Sequence, residues 1–393
     1  MNRLAYQGVS YFPEHLPSQV KELFLSVAIL NFAASAVALF EPIYLYSLGW
    51  TIEEILVFFL GVYVIYFFVM PFGAKIARHK GYEHAIFYAS FFLIGYFICL
   101  AFIGRGIVVV ILAMLFLALQ KMLYWPGYHA DFARYGRSDE RGREISNLII
   151  INSIGAVAAP LIGGALITLG GYPSLFIFSS ALILVSNFPL LSTKEVFIPK
   201  EFHYWDAYKR LVRMDYRRHF YTFLAFGEEV VLLIIWPIAM YLALTHAFTL
   251  GLVASAATFG SALIVLFAGK SSDQHYRKGV LRTGTAFYSL AGFLRVLAHG
   301  VSGFFLIDMM LRTAKNILAV PLLSMTYERA AHTSVMKSVV HFEMSIVVGK
   351  ILSMLVCLAL LYIFKGNFIP LFIFGGLLSW LYALGYEGYR PLQ

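Results

Sequence analysis

The apolar residues of this chain fall in runs of about twenty, separated by short charged breaks, and within the runs apolar and polar positions do not alternate. A bilayer core of about 30 Å takes roughly 20 residues of helix, whereas membrane strands would show a period of two. The pattern therefore predicts an all-α polytopic membrane protein with twelve transmembrane helices, over 23–47, 53–76, 83–103, 106–130, 144–169, 172–191, 220–244, 249–269, 281–299, 302–325, 336–363 and 367–386. The second six repeat the first. Pro126, in Tyr124-Trp125-Pro126-Gly127, and Pro321, in Val320-Pro321-Leu322, lie 195 residues apart, as do Pro42 in Glu41-Pro42-Ile43 and Pro237 in Trp236-Pro237-Ile238. One half written twice is the mark of a repeat architecture.

Composition supports the membrane assignment, since 60% of the 393 residues are hydrophobic and only 13% charged, far from a soluble balance. The net charge of +9 could suit nucleic acid, but lysine and arginine recur in alternate breaks instead of one patch. One side holds Arg78 and Lys80, then Arg134, Arg137, Arg141 and Arg143, then Lys194 through Arg218, then Lys270, Arg277, Lys278 and Arg282, then Arg329; the other holds only Arg105 and Lys365. Positive residues stay inside, which predicts cytoplasmic termini, a multi-pass protein of the cell (inner) membrane, and no nucleic-acid partner. The segments are then a cytoplasmic stretch 1–22, a bundle 23–191, a linker 192–219, a bundle 220–386 and a tail 387–393. In the linker, His203-Tyr204-Trp205-Asp206-Ala207-Tyr208-Lys209-Arg210 reads as an amphipathic helix on the inner membrane surface or as a solvated connection. Cys99 and Cys357 fall inside apolar runs, so no disulfide framework is implied. The first twenty residues carry Pro13, Glu14, His15 and Pro17 and lack the apolar core of a cleavable signal.

Two parallel six-helix halves, a long basic linker and inside termini together resemble the major facilitator superfamily over essentially the whole chain. Three short motifs bear on this. In helix five, the stretch Gly155 to Gly164 resembles the superfamily's motif of glycines around a proline (here Pro160), with Ala159 where a glycine is usual. Gly155, Ala159 and Gly163 are spaced by four, so with Gly164 they read as a small-residue packing face in preference to an antiport signature. After helix eight, Gly269-Lys270-Ser271-Ser272-Asp273 resembles the family's glycine-then-acid loop; its first-half counterpart, from Gly73 through Arg78 to Gly81, lacks the acid. Between helices four and five, Asp131, Arg134 and Arg141-Gly142-Arg143 look like a common loop of the family. The resemblance implies two pseudo-symmetric bundles, a cavity lined by helices one, four, seven and ten, and a cytoplasmic latch. For that latch the expected pairs are Arg78 with Asp131 and Asp273 with Arg329.

Ten ionisable residues fall well inside the predicted spans: Glu41, Lys121, Glu228, Glu229, Arg295, Asp308, Arg312, Lys315, Glu343 and Lys350. Facing lipid, they would cost about 25 to 35 kcal/mol together, more than a domain stability of about 5 to 15 kcal/mol could carry. They must face one another or an aqueous interior, and only Arg295 lies off helices one, four, seven, ten and eleven. Helical spacing puts Asp308, Arg312 and Lys315 on one stripe with Asn316 at its edge, and Lys121, Tyr124 and Tyr128 on another. Asp308 and Arg312 are expected to satisfy each other at i, i+4, whereas Lys121, Arg312, Lys315, Asn316, Tyr124 and Lys350 together make the expected solute-binding set. Glu41, Glu228, Glu229 and Glu343 are the candidates for proton coupling. Adjacent Glu228 and Glu229 point about 100° apart on an α-helix and are expected not to share a partner.

The expectation that follows is a proton-coupled secondary transporter working by alternating access on a small anionic or zwitterionic solute. A lipid or glycolipid flippase of the same fold and a non-transporting receptor are the alternatives. No nucleotide loop, His-rich cluster or Gly-Xaa-Ser-Xaa-Gly element is present in the sequence, so neither enzyme activity, cofactor nor metal is expected. The expected partners are a small-molecule substrate, protons and the lipid bilayer, with the chain working as a monomer.

Overall fold

The computed structural model describes residues 18–135, 141–191, 202–213, 217–268, 277–332 and 334–386, and every regular element among them is helical. The first half begins with α1 (Ser18–Ala38), which breaks before α2 (Glu41–Ser47). Then come α3 (Ile52–Lys80), α4 (Tyr82–Ala101), α5 (Ile107–Tyr135) and α6 (Arg141–Leu190). A short α7 (Tyr204–Val212) lies in the linker. The second half comprises α8 (Arg217–Leu224), α9 (Trp236–Leu244), α10 (Ala247–Ala268), α11 (Arg277–Leu294), α12 (Gly300–His332), α13 (Val335–Ile363) and α14 (Ile369–Ser379).

These elements make twelve crossings. Among the described residues eight stretches are long and apolar enough on their own to cross a bilayer, and one of them, Gly155–Leu190, holds two legs. The legs meet at Gly171, whose φ of 73° is open to glycine and strained for any residue with a Cβ. The remaining crossings fall short for visible reasons. Helix α12 carries Asp308, Arg312 and Lys315, α11 opens with Arg277, Lys278 and Arg282, and α14 continues only as a 3-10 turn, Trp380–Tyr386. The outer surface is lined by large exposed apolar side chains such as Ile107, Leu169, Phe188 and Tyr362, as a chain dissolved in lipid requires.

Helix ends follow local chemistry. Helix α3 starts with a capping box, in which the Glu54 amide donates to Thr51 Oγ1 at 3.2 Å and the Thr51 amide donates to the Glu54 carboxylate at 2.7 Å; it ends on Arg78, His79 and Lys80, which suit the negative end of the dipole. The sequence repeat is visible as matching defects. Pro42 and Pro237 each stand in the first turn of a short terminal helix, α2 and α9, and Pro126 and Pro321 each lie inside a long one, α5 and α12. Span seven departs most from an α-helix: α8 passes through a 3-10 turn (Ala225–Glu228) and a π turn (Val231–Ile235) before α9. Pro237 has no N–H for the Leu233 carbonyl, so the regular ladder could not have run through this point.

Close backbone approach at small residues sets the packing. A Cβ on Gly163 would lie 2.6 Å from the Ala36 carbonyl of α1, and one on Gly251 of α10 would lie 2.3 Å from the Pro160 carbonyl. Helix α6 is thus clamped between α1 of its own half and α10 of the other.

Candidate functional site

The charged residues of the second half gather around two lysines. Lys315 Nζ of α12 lies 2.6 Å from Glu228 and 3.3 Å from Glu229, donates to the Tyr382 hydroxyl at 2.7 Å, and sits over the rings of Phe226 and Tyr382. Glu228 also accepts from Tyr288 at 2.6 Å and from Tyr382 at 3.2 Å. Lys350 of α13 lies 2.7 Å from the second oxygen of Glu229. Glu229 is therefore the shared counter-ion of two lysines, while Glu228 is held by one lysine and two tyrosine hydroxyls. The two glutamates converge on Lys315, contrary to the expectation that they could not share a partner. The backbone does not bring them together, since the 3-10 turn that Glu228 closes spreads neighbouring side chains by about 120°, more than an α-helix does; Lys315 reaches them both from α12. Both side chains are also long enough to bend toward one ammonium.

Across the boundary between halves, α3 and α13 run antiparallel with two polar rungs. Lys350 Nζ lies 3.3 Å from the Tyr63 hydroxyl, and Tyr66 donates to Glu343 at 3.0 Å. The first rung leads to Lys121 of α5, whose ammonium stands 5.4 Å from the centroid of the Tyr63 ring; Lys350 stands 5.3 Å from the same centroid. At 1.5 Å per residue, Lys121, Lys315 and Lys350 each lie about 20 Å along their helices from the less basic end, at one depth. Among the described residues no carboxylate comes within ion-pair distance of Lys121, although Glu41 is within its electrostatic reach and is itself held by the Tyr96 hydroxyl. Tyr124, on the same helix, donates to Asn31 of α1 at 3.0 Å and stacks on Tyr128. The first half therefore presents one lysine and several hydroxyls to a second half whose two acids and two bases cancel.

The second rung belongs to a clasp nearer the basic end. Glu343 receives His129 Nε2 at 3.0 Å on one oxygen and the Tyr66 hydroxyl on the other, while His129 Nδ1 meets the Tyr327 hydroxyl at 2.6 Å. Neutral imidazole meets both needs at once, donating to the carboxylate and accepting from tyrosine. Two members come from each half, and all four are buried.

Elsewhere, Arg312 and Asp308 form an i, i+4 pair at 2.7 Å, with Asp308 also accepting from Trp236 Nε1 at 3.1 Å. Asn316 turns to Ser261 of α10 at 3.4 Å. Arg295 is buried on the 3-10 turn after α11, over the Trp236 ring at 5.8 Å. Of the expected latch, Gly73 packs against the Met122 backbone of α5 inside its own half, and Arg329 reaches His219. Arg78 is half-buried at the end of α3. The side chain of Asp131 and all of Gly269 and Asp273 lie outside the described residues. In the packing motif, Gly155 and Gly163 face α1, Gly164 and Pro160 face α10, and Ala159 is fully buried.

His129, Tyr63, Tyr288 and Tyr382 were not singled out from the sequence as site residues. The available signal was indirect: Glu343 has no basic residue three or four positions away on its own helix, so a partner had to come from another span.

The family model described as Major Facilitator Superfamily matches residues 23–202. Among solved structures, the chain is similar to an "auto inhibited POT family peptide transporter" known from a crystal structure, with a TM-score of 0.66 at 13% identity over 96% of this chain and 98% of that one. At that identity the likeness speaks for the fold alone. No curated protein matches by sequence.

Proposed function

We propose that this chain, a major facilitator superfamily protein by its matched first half and by the fold of its whole length, is a proton-coupled secondary transporter of small zwitterionic or anionic solutes. The observation that carries this reading is the asymmetry of the three lysines at one depth. Lys315 and Lys350 share Glu229, while Lys121, facing them across Tyr63, has no carboxylate at ion-pair distance among the described residues. An anionic group seated on Lys121 would complete the pairing. A solute that also carries an ammonium could compete with either lysine for Glu229. Short peptides have both groups, and the structural neighbour is described as a peptide transporter, so they are the first solutes to try.

In this scheme Glu229 is the coupling acid. A proton on it removes the bridge between Lys315 and Lys350, leaves Lys315 to Glu228 alone, frees the Lys350 ammonium for the solute, and loosens the Lys350–Tyr63 rung that ties the halves together. Binding and opening then depend on the same proton, as coupling by differential affinity requires. The two halves rock about the midplane site. Placing the basic end in the cytoplasm of the cell membrane follows from the distribution of lysine and arginine.

Reconstituted protein supplies the test. Uptake of dipeptides and organic anions into vesicles should rise with an inward proton gradient. Lys121→Ala should raise KM by about tenfold or more, the loss of one charge-assisted hydrogen bond. Glu229→Gln should abolish gradient-driven accumulation while leaving exchange of solute across the membrane. Accumulation that ignores the proton gradient, or a Lys121→Ala variant with unchanged KM for every transported solute, would sink the reading.

A further inference from the structure

The ammonium of Lys315 is held by more than a helix-to-helix ion pair requires. Its three N–H groups meet three acceptors, Glu228 at 2.6 Å, the Tyr382 hydroxyl at 2.7 Å and Glu229 at 3.3 Å. Three aromatic rings surround it as well, Tyr382, Phe226 and Tyr288, with centroids 4.7, 4.8 and 5.2 Å from Nζ. A single carboxylate would have sufficed to join the helices. Two carboxylates, a hydroxyl and three rings make an enclosure of the kind that recognises ammonium ligands.

None of these groups belongs to α12. Phe226, Glu228 and Glu229 come from the 3-10 turn of span seven and the residue after it, Tyr288 from α11, and Tyr382 from the 3-10 turn that follows α14. They are positioned without the lysine. Tyr288 donates to one oxygen of Glu228 at 2.6 Å, Tyr382 donates to the other at 3.2 Å, and Lys350 holds the second oxygen of Glu229 at 2.7 Å. Helix α12 supplies only the occupant. Glu228, Tyr288 and Tyr382 are buried, whereas Lys315 and Glu229 each keep 19% of the side chain exposed, so the accessible edge of the enclosure is the one that the lysine fills.

We infer that Phe226, Glu228, Glu229, Tyr288 and Tyr382 form a binding site for a primary ammonium group, and that Lys315 is its tethered occupant. The ligand class is a primary alkylammonium, because three acceptors call for three N–H donors and a quaternary ammonium has none. On the transport reading, on which only the source of the ligand rests, the competitor is the ammonium of a zwitterionic solute, whose carboxylate is then left to the displaced Lys315. Inserted in this way, the solute replaces one ion pair by two.

The test uses the full chain in detergent. Lys315→Ala removes three methylenes and the ammonium, which are the heavy atoms of n-propylammonium, so that ion is the probe. It should restore most of the melting temperature that the substitution loses, with its half-effect in the millimolar range, whereas sodium chloride and 1-propanol at equal concentration should not. In the parent protein the tethered ammonium holds the site at high effective concentration, so the same titration should leave the melting temperature unchanged. Adding Tyr382→Leu to Lys315→Ala should raise the half-effect concentration about tenfold. Should Lys315→Ala not fold, Lys315→Ala with Glu228→Gln takes its place, since it strands no fully buried carboxylate and keeps Glu229 and the three rings. Propylammonium should stabilise that variant too, at a concentration about tenfold higher. The inference is overturned if propylammonium does no more than sodium chloride in the variant that folds, if the parent gains as much as the variant, or if Tyr382→Leu leaves the half-effect unchanged. No transported solute enters the readout, so rescue without dipeptide uptake would remove the solute as the ligand's source and leave the site standing.

Discussion

The two halves share their scaffold and differ in their chemistry. Pro42 and Pro237 break spans one and seven at matching places, and Pro126 and Pro321 lie alike inside spans four and ten. Yet the repeat position of Lys121 in the second half is Asn316, and the repeat position of Glu41 is Trp236. The second half holds a saturated cluster, Glu228, Glu229, Lys315 and Lys350, in which each acid and base has a partner at 3.3 Å or less. The first half holds Lys121 against the face of a tyrosine ring. A duplicated backbone therefore gives two walls of opposite character, one self-neutralised and one with charge to spare. A binding site between them needs that difference, since two saturated walls would leave nothing for a solute to pair.

The sharpest break of this comparison is Lys315→Ala set beside Lys121→Ala. Removing Lys315 strands Glu228, which is 1% exposed and would keep only tyrosine hydroxyls around its charge. Leaving one member of a buried pair uncompensated costs about 3 to 5 kcal/mol, so the melting temperature of the detergent-solubilised protein should fall by several degrees or more. Lys121→Ala removes no ion pair seen among the described residues and should leave the melting temperature nearly unchanged while weakening solute binding. Equal thermal losses in the two variants would mean that the walls are not different in kind.

A smaller effect is expected at the clasp. His129→Ala takes one of the two donors from Glu343 and the imidazole partner from Tyr327. Hydrogen bonds to a charged group contribute about 1.5 to 3 kcal/mol, so the equilibrium should shift by about tenfold or more toward states open at the basic end. A cysteine placed at Ala130, fully buried beside the clasp, should then react correspondingly faster with a membrane-impermeant maleimide applied from that side. His129→Gln, which keeps a donor, should fall between. A labelling rate indifferent to both substitutions would show that the four residues seal nothing.

What could be read from the sequence follows the range of the forces involved. The twelve crossings were legible because bilayer thickness sets a run length, and the repeat because prolines are sparse enough to be matched by eye. The stripe of Asp308, Arg312 and Lys315 was legible because i, i+4 and i+7 positions share a face on any α-helix. At Glu228 and Glu229 the same rule misled, because it fixes where Cβ atoms point and not where long side chains end: both carboxylates bend to Lys315. The clasp stayed hidden because it joins His129 to Glu343, 214 positions apart, and because histidine and tyrosine inside a span are too common to stand out. Tyr63 is the clearest case, since its role depends on Lys121 and Lys350 meeting over one ring, and neither lies within three turns of it in sequence.

The smallest effect falls on the linker helix α7, whose Tyr208 hydroxyl donates to the Phe67 carbonyl of α3 at 3.2 Å and whose Asp206 pairs with Lys337 of α13 at 3.0 Å, and here acid separates the two attachments. The hydrogen bond from Lys337 holds the Asp206 carboxyl below its ordinary value of 3.8. A lowered folded value means that the bridge's contribution is complete above the ordinary carboxylate range and is lost as the pH falls through the lowered one. The tyrosine hydroxyls donate to carbonyls that do not titrate, and burial pushes the Tyr208 hydroxyl upward, so that attachment persists in acid. Hydrogen exchange of the α7 amides should therefore be flat from neutral pH down to the carboxylate range and show one modest loss of protection, relative to the intrinsic rate, below it. In Lys337→Gln the loss should already be present at neutral pH and the acid step should vanish. In Tyr208→Phe protection should be lower throughout while the step remains, since the carbonyl of Phe67 then loses its donor and the bridge to α13 is untouched. A step that survives in Lys337→Gln would place the titrating group elsewhere and reduce Asp206 to a surface charge.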